Sequence, residues 1–356
     1  MLHRISMFTT VILFMSLSVF ADTHHEGVQS GTWTPAGNTH LIDDDCWIPP
    51  RSTLNIEAGC LVEFQGHYCI IDSGTFNAIG TTESPIIFTS HPDSQFAGYW
   101  KALIADGASG SLATMTLTNC EICYGGESEV SPTATSGPVR AFGYAMVTVS
   151  YCYIHNSLGD GAGSNTENNQ LTVTDSRIDS CDIGLKLANL SEASEARRNR
   201  IVSCGVGIYH HGIQGPVTNN FIDSSTVCGS SGYFINFSNN IIARTLNGGN
   251  GIEITDGVVE NYSIANNILY YNTGWGIYWS DPENPLTVRN NCYFANTQGN
   301  RYSVTDLDPL DNTDPVFVGA GFGDEAFYHL RWNSPCLGAG DDELTNSNPA
   351  ISCSMP

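Results

Sequence analysis

Apolar and polar positions alternate with period two in short bursts along the chain, and each burst follows a glycine. Gly184-Leu185-Lys186-Leu187, Gly207-Ile208-Tyr209-His210, Gly251-Ile252-Glu253-Ile254 and Gly276-Ile277-Tyr278-Trp279 share the pattern. Such alternation is a strand signal, and the glycine supplies the turn before it. No repeating unit holds a ten-residue stretch of helical periodicity. A second signature precedes each burst: a polar pair, often Asn-Asn, followed by an apolar residue. Its anchor falls at positions 120, 152, 176, 199, 220, 240, 267 and 291, with gaps of 32, 24, 23, 21, 20, 27 and 24. The long gap coincides with a Ser/Pro/Gly-rich insertion over residues 125–138.

A period near two dozen residues excludes a propeller blade, which needs about 40. Leucine-rich repeats require a Leu-x-Leu core, whereas these units use Ile and Val around paired Asn. What remains is a solenoid in which each unit makes one turn of parallel strands. Equivalent residues then stack at ~4.8 Å. Asn suits the corners twice over, because it tolerates the left-handed backbone conformation and its amide can bond the Asn one coil away. An asparagine ladder through Asn220, Asn240, Asn267 and Asn291 is expected.

The segments Leu54-Asn55-Ile56-Glu57-Ala58-Gly59-Cys60, Gly74-Thr75-Phe76-Asn77-Ala78-Ile79-Gly80 and Pro85-Ile86-Ile87-Phe88 resemble the first coils of secreted bacterial right-handed parallel β-helix repeat proteins. Asp314-Pro315-Val316-Phe317 and Ser334-Pro335-Cys336-Leu337-Gly338 are similar to that family's closing segment. The resemblance implies an all-β fold, a right-handed parallel β-helix of roughly ten capped coils. Expected boundaries are a signal peptide over 1–21, a cap region over 22–53, repeats over 54–300, and a closing segment and tail over 301–356. The signal reading rests on Arg4, the apolar run from Met7 to Val19 and Ala21 at the cleavage position. A secreted or cell-surface location follows, with no transmembrane segment.

Charge narrows the partners. With 36 Asp+Glu against 13 Lys+Arg the net charge is −23, and Lys101 and Lys186 are the lysines. Nucleic acid needs a basic face that this chain cannot build, and polyuronates would be repelled unless cations bridge. Twelve cysteines follow the signal segment. Cys120-Glu121-Ile122-Cys123 has no second pair and no His at zinc spacing, which argues against structural zinc. Stacked cysteines in adjacent coils, Cys120 with Cys152 and Cys181 with Cys204, are expected as buried thiols. Cys336 and Cys353 are the expected disulfide.

Because one fold carries many activities, function must be argued from a site. Aligning the glycine-led strands places Lys186, Tyr209, Glu253 and Tyr278 in one outward column, with His211 in the next. His210 shares the inward column of Leu187, Ile254 and Trp279. Aromatic rings beside carboxylates on a flat β face suit a neutral polysaccharide or cell-surface glycan, so a carbohydrate-contacting or structural surface protein is expected. The ligand-binding candidates are therefore Lys186, Tyr209, His211 and Tyr278. An alternative, a glycoside hydrolase or polysaccharide lyase, would draw its carboxylates from Glu253, Asp256 and Asp281. Asp306, Asp308 and Asp311 lie in one loop and offer hard oxygen ligands for Ca²⁺. A monomer is expected.

Overall fold

A computed structural model describes residues 22–36, 38–127, 135–164, 168–188, 194–211, 215–232, 236–255, 263–318 and 329–340. The signal segment, Asp256 and Cys353 lie outside them. The described chain is nearly all strand, with one short 3-10 turn at Pro92–Ser94. Among the described residues no helix is long and apolar enough to cross a membrane.

Most coils contribute three strands, each paired in parallel with its equivalent one coil away, while Thr39–Ile48 runs unbroken across two faces. Coil six shows the plan: Gln170–Thr174 on a first face, Arg177–Asp179 on a second and Ile183–Ala188 on a third. The first faces alone form a continuous twelve-stranded sheet from Gly31–Trp33 to Val304–Leu307. The fold is a right-handed parallel β-helix. Coils extend beyond both ends of the expected repeat region. Thr23–Val28 already pairs in parallel with Thr39–Ile48, and Val304–Leu307 still pairs with Leu286–Arg289.

Inward residues stack by type, as parallel register demands. Ile178, Ile201, Ile222 and Ile242 form one buried column of the second face, continued by Leu269 and Tyr293. Val173, Ala196, Val217, Phe237 and Ile264 form another on the first. His210 lies in the core as its column required, edge-on to Phe237 at 5.4 Å.

The Asn pairs divide their labour. The first of each pair, Asn219, Asn239, Asn266 or Asn290, takes a φ of 56–59° and turns the corner. The second is buried and points into the coil stack. Backbone N and Nδ2 of Asn220 both donate to Asn240 Oδ1 at 2.9 and 3.0 Å. Asn199 does the same to Asn220, Asn240 to Asn267, and Asn267 to Asn291. Each Nδ2 also reaches back to a carbonyl one coil earlier, as Asn220 does to Ala196 at 2.9 Å. Asp306 ends the column by accepting from Asn291 Nδ2 at 2.9 Å. A shorter column, Thr245, Asn272 and Asn296, occupies the second corner.

Earlier coils fill the same corner columns with Cys and Ser. Cys120 and Cys152 are hydrogen-bonded neighbours, as are Cys181 and Cys204, and the contact together with burial raises the Cys120 and Cys181 thiols. All eleven described cysteines are free. Cys336 lies against Cys292, whose thiol that contact and burial push up. It packs there with Phe317 and Leu330 on an apolar patch built by Phe221, Ile241, Ala243, Ile268 and Tyr270. The closing segment thus covers the outer side of the second face over the last coils.

Asp72 is fully buried and accepts from Gly74 N at 2.8 Å, and burial raises its carboxyl to about 7. The fold therefore favours protonated Asp72, so this residue's contribution falls as pH rises from about 4 to about 7. Burial also lowers His210 to about 3 and His25 to about 4, which opposes acidification below 6.5. Asp72→Asn removes only the first effect. Its stability gain over the parent should be negligible near pH 4 and reach about 2–4 kcal/mol by pH 8. Urea unfolding at both pH values measures it; a pH-independent difference would contradict this account.

Candidate functional site

The third face carries the candidate site. Register there runs Arg140, Gly163, Lys186, Tyr209, Ser231, Glu253, Tyr278 and Tyr302, one residue per coil. The inward neighbours Leu185, Ile208, Ile252 and Ile277 are all fully buried, which turns this column outward.

Its two ends differ. Arg140 is buried and donates to Glu127 Oε1 at 2.6 Å, Gly137 O at 2.6 Å and Ser136 O at 2.9 Å. Asp160, also buried, accepts from Ser136 N at 3.0 Å. Chain from the insertion therefore lies over the third face in the middle coils. Lys186, one coil on from Gly163, is 1% exposed. Its neighbour Gly163 has no room for a side chain, since a Cβ there would lie 3.0 Å from Thr135 Cγ2 and 3.1 Å from Lys186 Cβ. The expected role of Lys186 as a surface ligand contact is corrected: it belongs to the column but not to the accessible surface.

Beyond Lys186 the column opens. Tyr209, Ser231, Glu253 and Tyr278 are partly exposed and Tyr302 is 39% exposed. Tyr278 and Tyr302 stack at 5.1 Å with 15° between planes, and Trp275 lies 5.5 Å from Tyr302. Glu253 accepts from Asn250 Nδ2 at 3.0 Å, while Asn250 Oδ1 accepts from Trp275 N at 2.9 Å. These two bonds tie the carboxylate to the aromatic group. Trp275 rests on Gly299, whose φ is +138° and whose Cβ would fall 2.5 Å from the indole. Cys228, in the Asn250 column, is pushed up to about 12 by burial and the nearby Glu253.

The other expected residues are scattered. His211 is partly exposed beside Ala188 in the adjoining column. Asp281 accepts from Glu283 N and Asn284 Nδ2 at 2.9 and 2.8 Å, which lowers its carboxyl and commits it to its own turn. Asp306 accepts from Asn291 and from the Tyr293 hydroxyl, the latter at 2.6 Å, and burial raises it. Asp311 receives both Arg301 nitrogens at 2.8 Å, and Asp308 is exposed at a left-handed turn. Ser231, Trp275 and Tyr302 were missed. Their coils lack the Gly-Ile signature or place the ring one step away from it. Only the glycines flanking Ser230-Ser231 hinted at a strand.

A family model described as "Periplasmic copper-binding protein (NosD)" matches residues 138–314. Among solved structures, the chain is similar to the crystal structure of the periplasmic alginate epimerase AlgG at 12% identity. That match covers 79% of this chain and 77% of the other, with a TM-score of 0.36. A mutant of the same epimerase matches at 12% identity and a TM-score of 0.34, covering 79% and 78%. No curated protein matches the chain.

Trp275 should report the integrity of this site. Gly299→Ala forces the indole off its seat, so its fluorescence should shift toward the exposed value relative to the parent. Trp275→Phe in both backgrounds isolates the signal. Unchanged Trp275 emission would show that Gly299 does not position the ring.

Proposed function

We propose that this chain is an extracytoplasmic β-helix protein that binds a neutral polysaccharide along its third face. The observation that carries the reading is the column of Tyr209, Ser231, Glu253, Tyr278 and Tyr302, with Trp275 beside its end. Parallel stacking sets these groups one coil apart, at ~4.8 Å, so an extended chain of sugar rings can meet them in succession. Aromatic faces offer apolar contact to sugar C–H groups, and Glu253 and Ser231 offer hydrogen bonds to hydroxyls. Glu253 is oriented for that task by Asn250 rather than left free.

Charge supports a neutral ligand over a uronate. The chain carries −23, and its strongest cations are already committed: Arg198 to Asp175, Arg244 to Asp223, Arg301 to Asp311 and Arg140 to Glu127. A hydrolytic mechanism needs two carboxylates facing each other across the sugar. Glu253 pairs with an amide, and Asp281 serves its own turn. Among the described residues of the third face, this arrangement suits binding better than bond cleavage. A periplasmic or surface location agrees with the periplasmic family whose model the chain matches.

Affinity electrophoresis through gels containing neutral polysaccharides tests the reading. At least one glycan should retard the parent, and Tyr278→Ala and Tyr302→Ala should each weaken retention about tenfold, equivalent to ~1.4 kcal/mol. Absence of retardation across the panel would contradict it. Release of reducing sugar that Glu253→Gln abolishes would show a catalyst instead.

A further inference from the structure

On the second face, far from the aromatic column in register, three metal-ligating side chains meet. Glu121 and Cys123 come from the strand Cys120–Cys123, and His155 comes from Tyr153–His155 one coil on. Parallel pairing sets Cys123 opposite His155 and Glu121 opposite Tyr153. The intervening Ile122 and Ile154 are fully buried in the core, so all three ligands lie on the outer side of the sheet. Cys123 Sγ, a Glu121 carboxylate oxygen and a His155 ring nitrogen all fall within 4.8 Å of one another. His155 Nε2 is 3.1 Å from Glu121 Oε1.

We propose that Glu121, Cys123 and His155 form a three-ligand site for a Zn²⁺-class ion. Tetrahedral zinc with bonds of ~2.0–2.3 Å holds its ligand atoms a little over 3 Å apart, a spacing small side-chain rotations reach from here. A thiolate beside an imidazole selects a borderline or soft ion and disfavours Ca²⁺ and Mg²⁺. Binding breaks the Cys123 S–H bond, the proton leaves to solvent, and the sulfur lone pair goes to the metal. Three protein ligands leave a fourth position for water, and Glu121 is the most exposed of the three.

The surroundings suit a held ligand set. Tyr153 stacks on the His155 ring at 4.1 Å and Tyr124 meets its edge at 6.3 Å, which restricts the imidazole. The Asn156 side-chain amide lies 3.1 Å from His155 Nδ1. With its oxygen turned inward it accepts Nδ1–H and leaves Nε2 free for metal, the usual outer-shell arrangement. Cys123 Sγ sits 3.3 Å from Thr89 Oγ1, a hydroxyl able to donate to a thiolate. Spacing along the chain around Cys120-Glu121-Ile122-Cys123 does not reveal this ligand set. The histidine arrives through coil register, not through proximity in the chain.

Reduced, metal-free full-length protein titrated anaerobically with Co²⁺ tests the site. One equivalent should produce a thiolate-to-cobalt charge-transfer band that Zn²⁺ displaces. Cys123→Ala should abolish the band, and His155→Gln and Glu121→Gln should each weaken binding by about tenfold or more. Circular dichroism checks that each variant folds. If Cys123→Ala does not fold, the other two variants decide, since both keep every cysteine. No charge-transfer band in the parent, a band that survives Cys123→Ala, or affinity unchanged in both remaining variants overturns the proposal. Glycan retention serves as a separate readout and should not respond to these substitutions.

Discussion

Every coil must bury the corner where its backbone turns sharply from the first face to the second, and a buried corner exposes amide groups that no strand partner satisfies. The column of Asn199, Asn220, Asn240, Asn267 and Asn291 meets that constraint. From Asn220 to Asn291 each Oδ1 accepts two donors from the preceding coil, and from Asn199 to Asn267 each Nδ2 is shared between the next Oδ1 and an earlier carbonyl. A side-chain amide can accept and donate at once, with two donors and two acceptor lone pairs to share between neighbouring coils. Sliding one coil by a residue would break every bond in it, so the column fixes register. The stacked Ile and Val columns, and the outward columns as well, inherit that register.

Fixed register is what makes the outer faces chemically useful. Residues about two dozen positions apart become neighbours, and each face then takes a separate role. On the third face, Arg140 and residues 135–137 lie over the middle coils while the Tyr–Glu–Tyr column stays partly exposed. On the second face, the last coils present Phe221, Ile241, Ile268 and Tyr270, which the closing segment covers. Three to four coils before Phe221 the same face gathers Glu121, Cys123 and His155. Bidentate pairs such as Arg198 with Asp175 tie successive coils at the corners.

The fold was legible because a solenoid writes its period into the chain. Paired Asn and glycine-led alternation recur often enough to give the coil, the corner and the inward columns, His210 included. Other features were less legible because they depend on contacts that periodicity does not encode. Which Asn of a pair turns the corner and which is buried follows from φ at Asn219 or Asn239, not from composition. The burial of Lys186 depends on contacts across coils that its place in the alternation does not encode. Cys228–Gly232 hid its strand because Ser230 replaces the expected apolar residue, its hydroxyl satisfied by Ile208 O at 3.1 Å. Cys123 and His155 are separated by the 125–138 insertion, which stretches their gap to 32 residues and obscures their adjacency.

The central claim is that the buried asparagine amides, rather than corner geometry alone, hold the coils in register. Equilibrium unfolding of Asn240→Ala beside Asn239→Gly measures it most directly. The first removes bonds to Asn220, Asn267 and Val217 O and leaves buried groups unpaired, whereas the second keeps a residue at ease with φ of 59°. Asn240→Ala should cost about 2–4 kcal/mol, and Asn239→Gly less than about 1 kcal/mol. Equal losses, or a greater loss from Asn239→Gly, would contradict the account.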